Sequence, residues 1–186
     1  MRAENLKMIS TPISDILLIQ PKVFEDERGF FLESFQKRRF AEAGIDADFV
    51  QDNHSKSRHG ILRGLHYQIK QPQGKLLRVI AGEIYDVAVD IRRSSATFGK
   101  WFGTYLSSEN KQILWVPVGF AHGFYVTSAE AEVFYKSTDY YLPEWERTIA
   151  WNDSTINIRW PLQDEIPILS PKDKVGKSLL EAEVFE

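Results

Sequence analysis

The amino-acid sequence predicts an all-β protein, folded as a double-sheet jelly roll or barrel with few, short helices. From residue 61 onward, short apolar and aromatic runs recur at regular intervals and are separated by polar turns. In one of these runs Tyr85, Val87 and Val89 alternate with polar or small residues, a period of two that is typical of a strand. Only the segment 34–43 has apolar residues at helical spacing. Together these observations favour sheets and leave room for little helix.

The first third of the chain is predicted to hold three strands and the helix. In order, the predicted elements are strand 16–24, charged turn 25–28, strand 29–35, helix 34–43, strand 48–53 and polar loop 55–60. Phe35, Phe40 and Ala43 fall at helical spacing, and Gly44 is a typical C-terminal stop. The spacing and the glycine together predict a helix that ends at residue 43.

The chain from residue 61 to Pro143 is predicted to be almost continuous strand. The predicted strands are 61–68, 76–80, 84–91, 98–106, 112–116, 119–126 and 132–141. Residues 81–83 are predicted to close a hairpin between two of them. Beyond Pro143 the pattern becomes irregular, so Trp145, Trp151 and Trp160 are expected to pack onto the sheet.

Composition narrows the class of protein. With 186 residues the chain can bury one sizeable core, and a single domain spanning residues 1–186 is predicted. A net charge of -3 argues against nucleic acid or an anionic membrane as a partner, because both need a basic surface. The absence of cysteine excludes disulfides and thiolate catalysis. No apolar run approaches the ~18 residues of a membrane span, and residues 1–10 are too polar for a signal peptide. A cytoplasmic protein is therefore expected.

Charged side chains occur where the sequence otherwise predicts buried strands. Arg63, His66 and Lys75 lie among leucines and a tyrosine, and burying such groups without partners is costly. Either they face water from an edge strand, or they line a polar pocket inside a sheet. Arg63 and His66 are three residues apart, so on a regular strand they point to opposite faces. Both can reach one cavity only if the strand bends, and Gly64 lies where a bend could form.

The four histidines divide into two pairs. His54 and His59 lie in polar loop sequence and are expected to be solvated. His66 and His122 lie in apolar strand sequence, where a histidine is either a hydrogen-bonded core residue or a catalyst. The sequence contains neither the Gly-x-Ser-x-Gly elbow of a serine hydrolase nor a glycine-rich phosphate loop. Both interpretations of His66 and His122 stay open at this point.

A possible metal site can be weighed in the same way. Residues 117–122 resemble the second half-motif of cupin barrels, which ends in a histidine. The place of the first half-motif offers only His66 and Gln68, whereas metal-binding cupins have two histidines and a glutamate there. Because a metal normally needs three or more protein ligands, a metal-free protein is expected.

Eight sequence blocks, in order and in register, resemble the dTDP-4-dehydrorhamnose 3,5-epimerase family. They are Asp26–Phe30, Gln51–Ser55, Arg63–His66, Gly74–Lys75, Asp86–Arg92, Gly119–Phe124, Tyr135–Tyr141 and Ser170–Asp173. The resemblance runs from about residue 9 to residue 175. It implies a double-stranded β-helix of the cupin jelly-roll type.

The resemblance also implies a reaction without a cofactor on dTDP-4-dehydro-6-deoxy-D-glucose. The protons at C3 and C5 of a 4-keto sugar are both alpha to the carbonyl, so each can leave as an enolate forms. Inversion needs a base on one face, a proton donor on the other, and a positive or hydrogen-donating group at the C4 oxygen. By resemblance, His66 is the base and Asp173 is its paired carboxylate. Lys75 would stabilise the enolate oxygen with His122 nearby, and Tyr135 would protonate the opposite face.

Substrate-binding positions follow from the same resemblance. Tyr141 matches the position that stacks on thymine, and arginine suits a diphosphate because its fork donates two parallel bonds. The matched substrate-binding residues are Arg28, Glu33, Gln51, Asp52, Asn53, Arg63, Lys75, His122, Tyr141, Glu146 and Lys172. Asp86 is interpreted as a supporting residue that does not contact substrate.

The family implies a homodimer in which the early strands contribute to the neighbour's sheet and site. Phe30-Phe31-Leu32 would otherwise be an awkward exposed edge. The alternatives are a relative that epimerises only C3 or only C5, a ketoisomerase of the same barrel type, and a non-catalytic cupin that binds a nucleotide sugar. Holding a diphosphate requires neither His66 nor Tyr135, so their presence argues against a protein that only binds.

Overall fold

The computed structural model describes residues 6–186; residues 1–5, part of the polar start on which the signal-peptide prediction rests, lie outside that range. The described part contains thirteen strands, one α-helix and two 3₁₀ turns. The strands are β1 (Leu6–Ile9), β2 (Leu17–Pro21), β3 (Val23–Asp26), β4 (Gly29–Leu32), β5 (Gln51–Arg58), β6 (Leu62–Gln68), β7 (Lys75–Ala81), β8 (Glu83–Asp90), β9 (Trp101–Ser107), β10 (Ile113–Val116), β11 (Phe120–Val126), β12 (Glu130–Ser137) and β13 (Glu146–Thr148). The helix α1 spans Lys37–Glu42, and the 3₁₀ turns span Pro143–Trp145 and Asp173–Val175.

Two antiparallel sheets enclose the main core. One sheet has six strands in the order β1-β2-β10-β7-β12-β5, and the other has five in the order β13-β6-β11-β8-β9. Leu77 and Val133 of the six-stranded sheet pack with Ile84, Ala88 and Phe124 of the five-stranded sheet. The predicted all-β fold, a double-stranded β-helix of the cupin type, is confirmed. None of the helices within residues 6–186 is long and apolar enough to span a bilayer.

The C-terminal segment covers the outer face of the five-stranded sheet. Val87 and Val89 of β8 pack against Ile149, Ile156 and Leu179 in a second apolar cluster. Burying a side chain of this size contributes about 1.5–3 kcal/mol. This layer therefore fixes an irregular segment to the sheet without extensive strand pairing.

The helix α1 and the loop after it cover part of the outer face of the six-stranded sheet. Phe40 and Ile45 are buried there against Ile19, Leu76 and Ile113. Because side chains alternate between the faces of a strand, β7 can place Leu76 under the helix while Leu77 enters the main core. The helix thus closes one side of the barrel from outside.

The helix is shorter than the predicted range 34–43. Gln36 is extended, with φ of -150°, and its side-chain oxygen accepts a hydrogen bond from the Arg39 backbone N–H at 2.7 Å. An N-cap of this kind starts the helix one residue later. At the other end Gly44 has φ of 98° and donates its N–H to the Ala41 carbonyl, so the predicted stop is confirmed.

The strand β5 differs most from the sequence-based expectation. The sequence predicts a strand over 48–53 and a polar loop over 55–60, whereas β5 continues unbroken from residue 51 to residue 58. This strand forms an edge of the six-stranded sheet, and its exposed and less exposed side chains alternate. A strand with one face in solvent accommodates polar residues, so polarity there does not indicate a loop. The loop prediction is wrong.

The predicted hairpin across residues 81–83 is wrong. The strands β7 and β8 belong to different sheets, so this turn connects the two sheets instead of pairing its flanking strands.

Other differences concern short elements. The predicted strand 16–24 divides at Lys22, so that β2 joins the six-stranded sheet and β3 pairs with β4 in a separate hairpin. The sequence analysis does not predict β1 or β13, which pair with β2 and β6 respectively. Strands of three or four residues give little periodic signal, and pairing with a longer neighbour holds them in place.

The chain after Pro143 is irregular, as predicted, and is attached to the barrel at separate points. Residues 61 and 168 form one isolated parallel bridge, and residues 149 and 177 form another. Trp160 packs on the second apolar cluster, and its indole N–H donates to the Trp151 carbonyl at 2.8 Å. The expectation that tryptophans of this segment pack onto the sheet is therefore confirmed for Trp160.

The hairpin of β3 and β4 belongs to neither large sheet. We call residues 23–32 the aromatic hairpin, because Phe24, Phe30 and Phe31 are 47%, 56% and 69% exposed. Exposed apolar patches of this kind are typical of surfaces that contact another protein.

Candidate active site

A cavity of about 340 Å³ lies between the two sheets, at the end of the barrel where β7 and β11 begin. Eleven of the residues that the sequence analysis assigns to the site line it. They are Gln51, Asn53, Arg63, His66, Lys75, His122, Tyr135, Tyr141, Glu146, Lys172 and Asp173. The interpretation of the strand charges as the lining of a polar pocket is therefore confirmed.

Strand alternation and register bring these residues together. On β5, Gln51 and Asn53 line the cavity two residues apart, and Asn53 is the register partner of Tyr135 on β12. On the other sheet His66 of β6 is the register partner of His122 of β11. The cavity thus has one wall from each sheet, with Tyr135 in the first and His66 in the second.

A bend in β6 allows Arg63 and His66 to face the same cavity. The register of β6 against β11 shifts between His122 and Phe124, and Gly64 has φ of 125°, which favours glycine. A Cβ at Gly64 would lie 2.5 Å from the Gly123 Cα, so the two strands approach too closely for any side chain. The predicted bend at Gly64 is confirmed.

Asp173 holds His66 through a short hydrogen bond. His66 Nε2 donates to Asp173 Oδ1 at 2.6 Å, and the Asp173 side chain is only 1% exposed. Burial raises the pKa of this carboxyl, but hydrogen bonds from His66, Ser170 and the Gly64 N–H outweigh it and hold the pKa at about 2. Asp173 is therefore ionised and can only accept. Nε2 must carry the proton, which leaves Nδ1 with a lone pair for a substrate.

The charge state of His66 depends on two opposing effects. Burial lowers the pKa of His66 below 6.5, and the nearby Lys172 and Lys75 lower it further. The hydrogen bond to Asp173 raises the pKa but does not offset burial. The imidazole is thus neutral near pH 7, which is the state that a general base requires.

Lys75 and His122 are the two groups that can stabilise negative charge in the cavity. Burial lowers the pKa of Lys75 to about 8, although Glu146 and Asp86 act in the opposite direction. His122 Nε2 lies 2.9 Å from both carboxylate oxygens of Asp86, which is fully buried. Asp86 thus orients His122 and attracts Lys75, in agreement with its interpretation as a supporting residue.

Tyr135 is suited to donate a proton. Burial raises the pKa of its phenol, and the positive charge of Arg63 partly opposes this shift. The Arg63 guanidinium is oriented by its Nε, which donates to the buried Ser57 Oγ at 3.0 Å. A protonated phenol near a fixed cation can release its proton more readily than burial alone would allow.

The mouth of the cavity contains a separate polar cluster. Lys172 Nζ lies 2.7 Å from Glu146 Oε1, and the Tyr141 hydroxyl donates to Glu146 Oε2 at 3.0 Å. The backbone N–H of Tyr141 donates to Gln51 Oε1 at 2.9 Å. Tyr141 remains 44% exposed, so its ring can receive a flat ligand.

Three residues that the sequence analysis assigns to the site lie outside this cavity. Arg28 of the aromatic hairpin is 84% exposed at its side chain and pairs with Asp26. Glu33 pairs with Arg39 at 2.6 Å. Asp52 alternates with its neighbours on β5, so it points to the outer face, where Lys136 lies 2.8 Å away.

Ser170 lines the cavity and bonds to Asp173, yet the sequence analysis gives it no role. The only available signal is its place in the Ser170–Asp173 block. His54 and His59 are at the surface, as expected, beside Glu132 and Glu165.

Within residues 6–186 no cluster of three or more histidine, aspartate and glutamate side chains has a geometry that could hold a metal ion.

Comparison with known proteins agrees with this geometry. The family model described as dTDP-4-dehydrorhamnose 3,5-epimerase matches residues 10–181. The enzyme of that name from Pseudomonas aeruginosa is 56% identical over 181 residues, covering 97% of this chain and 99% of the relative. A crystal structure of the Legionella pneumophila epimerase with dTDP-4-keto-L-rhamnose has 54% identity and a TM-score of 0.93, and the match covers 96% of this chain and 95% of that one.

A more distant structure represents the alternative of a single epimerised carbon. The 3'-monoepimerase ChmJ from Streptomyces bikiniensis, in complex with dTDP-quinovose, is 29% identical with a TM-score of 0.85. The match covers 91% of this chain and 86% of that one. With the family model spanning nearly the whole chain and relatives above half identity, this protein belongs to the dTDP-4-dehydrorhamnose 3,5-epimerase family and is an isomerase.

Proposed function

We propose that this protein epimerises dTDP-4-dehydro-6-deoxy-D-glucose at C3 and C5 and thereby forms dTDP-4-dehydro-L-rhamnose. The proposal depends above all on the neutral His66, held by Asp173 on one wall of the cavity, and the protonated Tyr135 on the other wall. The Legionella relative with bound dTDP-4-keto-L-rhamnose supports the choice of substrate class. No metal or cofactor is required by this chemistry.

Proton abstraction is the first step. With Nε2 engaged by Asp173, Nδ1 of His66 removes the proton from C3 or C5 of the 4-keto sugar. The electron pair moves into the ring and the C4 oxygen becomes an enolate. Lys75, aided by His122, stabilises that negative charge, which develops only in the transition state and intermediate.

Proton return from the opposite face completes each inversion. Tyr135 delivers its phenol proton to the carbon, and Arg63 stabilises the resulting phenolate. Before the second carbon reacts, His66 releases its proton to solvent and the Tyr135 phenolate takes one up from solvent, so both groups return to their starting states. One pair of groups on opposite walls can therefore serve both carbons in turn.

Nucleotide binding is assigned to the mouth of the cavity. Tyr141 stacks on thymine through its exposed ring, and such stacking contributes about 1–3 kcal/mol. Lys172 and Arg63 neutralise the diphosphate, so Lys172 exchanges its contact with Glu146 for phosphate oxygens.

The aromatic hairpin supports a homodimeric assembly. Its exposed phenylalanines need a cover, and Arg28 and Glu33 lie on or beside it, outside the cavity of their own chain. We place both residues at the cavity of the partner subunit.

The enzyme is proposed to be cytoplasmic. Recovery of the protein with membranes or outside the cell on fractionation would contradict this assignment.

A second candidate is epimerisation at one carbon only, which the likeness to the Streptomyces bikiniensis 3'-monoepimerase favours. The two functions share the base, the donor and the enolate. Proton NMR in deuterated water separates them, because the wild-type enzyme should introduce deuterium at both C3 and C5. Deuterium at a single carbon would establish the alternative. A binding protein without activity would introduce none.

His66→Ala should lower deuterium exchange at both carbons by at least about 100-fold, since a general base contributes on this scale. Asp173→Asn should lower exchange less than His66→Ala does, because the imidazole remains and loses only the carboxylate that orients it and stabilises its positive charge. Calorimetry with dTDP should give an affinity close to that of the wild type for both variants. Substantial exchange by His66→Ala would show that another group is the base.

Tyr135→Phe should separate exchange from inversion. The change removes one oxygen and keeps the ring, while His66 and Lys75 can still form the enolate. Without the phenol, His66 exchanges the abstracted proton for solvent deuterium and returns it mainly to the face that the proton left, so NMR should show exchange in large excess over epimerised product. Val133→Ala serves as the control, because it alters the same cavity wall but removes no group that can donate a proton. Equal losses of exchange and inversion in Tyr135→Phe would assign the tyrosine to enolate formation instead.

The pH profile of kcat/KM should have an alkaline limb near pH 8. A lysine with a pKa of about 8 loses its positive charge as the pH rises through that value, and the enolate then loses its stabilisation. On the acid side, activity should persist below pH 6.5, because His66 gains its proton only below that value. Lys75→Arg, although slower, should lack the alkaline limb. An alkaline limb that persists in this variant would assign the titration to another group.

Mixing two inactive variants tests the shared site. In a heterodimer of His66→Ala and Arg28→Ala protomers, the cavity with intact His66 receives Arg28 from the partner subunit. After subunit exchange, an equal mixture should regain about a quarter of wild-type activity, because half of the dimers are mixed and each has one intact site. Phe31→Asp should give a monomer in sedimentation. Mixed dimers that stay inactive would place Arg28 outside the partner's site.

A further inference from the structure

The carboxylate that holds His66 is delivered by an arch of irregular chain, residues 168–177. Each end of the arch is attached to the barrel by an isolated bridge, the first end to Ile61 and the second to Ile149. Between these ends the Ser170 carbonyl accepts the N–H groups of Asp173 and Lys174 and closes a tight turn. Main-chain hydrogen bonds therefore fix both ends of the arch and the turn between them.

The two oxygens of the Asp173 carboxylate have different partners. Oδ1 accepts from His66 Nε2 at 2.6 Å and from the Gly64 N–H at 3.2 Å. Oδ2 accepts from the Ser170 hydroxyl at 2.5 Å. The carboxylate is thus held at both oxygens, and its rotation about the Cβ–Cγ bond is restricted. Without Ser170, only the contacts on Oδ1 would oppose that rotation.

We propose that Ser170 is a positioning residue for proton abstraction, which occupies Asp173 Oδ2 so that Oδ1 stays aligned with His66. The proposal rests on the proposed role of His66 as the base. A hydroxyl donating to a buried carboxylate makes a charge-assisted hydrogen bond, which is about twice as strong as a neutral one. The hydrogen bond to Oδ1 then fixes the orientation of the imidazole ring, so that its Nδ1 points at the substrate carbon.

A purely structural role for the hydroxyl is less consistent with the contacts. The turn is closed by the Ser170 carbonyl, and Pro171 fixes its own φ, so neither needs the side chain. The hydroxyl does accept the Asp173 N–H, but at 3.3 Å and in addition to the carbonyl contact at 3.1 Å. Its shortest contact is the one to the carboxylate.

Ser170→Ala should lower kcat about 10-fold while leaving the dTDP dissociation constant unchanged, on the scale of one lost hydrogen bond to a charged group. Losing the donor makes the carboxylate more basic, so it stabilises the His66 imidazolium more strongly. The acid limb of kcat/KM should therefore move to higher pH. The other charged groups around His66, namely Lys172, Lys75 and Glu146, are unchanged by the substitution. A loss of stability alone would lower the rate equally at every pH.

Two further variants make the test independent of folding. Ser170→Thr keeps the hydroxyl and should recover most of the lost rate. In an Asp173→Asn background the Ser170 hydroxyl no longer bonds to a charged group, so Ser170→Ala should lower kcat by no more than about 2-fold. An equal cost in both backgrounds, or an unshifted acid limb, would overturn the proposal. His66→Ala is measured in parallel: if it retains exchange, the proposed base is wrong, and if it is inactive while Ser170→Ala behaves as wild type, only the role of Ser170 fails.

Discussion

The hydrogen bond between His66 and Asp173 is the contact on which the site depends. It joins a residue of a central strand to a residue of an irregular segment, 107 positions later in the chain. A buried carboxylate is costly unless donors surround it, and here three donors do so. The bond therefore ties the position of the arch to the orientation of the His66 imidazole. Ile156 and Leu179, which pack on the five-stranded sheet, hold the chain on either side of the arch.

The two-sheet architecture supplies the second requirement for inversion, which is access to both faces of one carbon. His66 stands on the five-stranded sheet and Tyr135 on the six-stranded sheet, so a ligand bound between them meets an imidazole and a phenol from opposite sides, as the proposed mechanism requires. A single sheet could not provide this, because residues on one of its faces approach a ligand from the same direction. The bend at Gly64 then adds Arg63 to the cavity without removing His66.

The sequence predicts the central strands well, because β8 and its neighbours combine apolar alternation with clear turns. It fails for β5, where polar residues suit an edge strand as well as a loop, and for β13, which is too short for a pattern. At the site, the bend at Gly64 follows from the spacing of Arg63 and His66 together with the glycine between them, provided that both side chains reach one cavity. The pairing of His66 with Asp173 comes from family resemblance, because no periodic pattern relates a strand to an irregular segment. Ser170 has no signal of its own, since its role depends on which carboxylate oxygen it meets.

The charges in the cavity also constrain one another. His66 must be neutral to act as a base, while Lys75 must remain charged to stabilise an enolate, and both lie in the same low-dielectric space. Burial lowers the pKa of each, and the positive charge of Lys75 lowers that of His66 further. Between the pKa of His66, below 6.5, and that of Lys75, about 8, the pair has the required combination of states. The positive charge of Lys75 thus favours the neutral state of His66, while Glu146 and the buried Asp86 favour the charged state of Lys75.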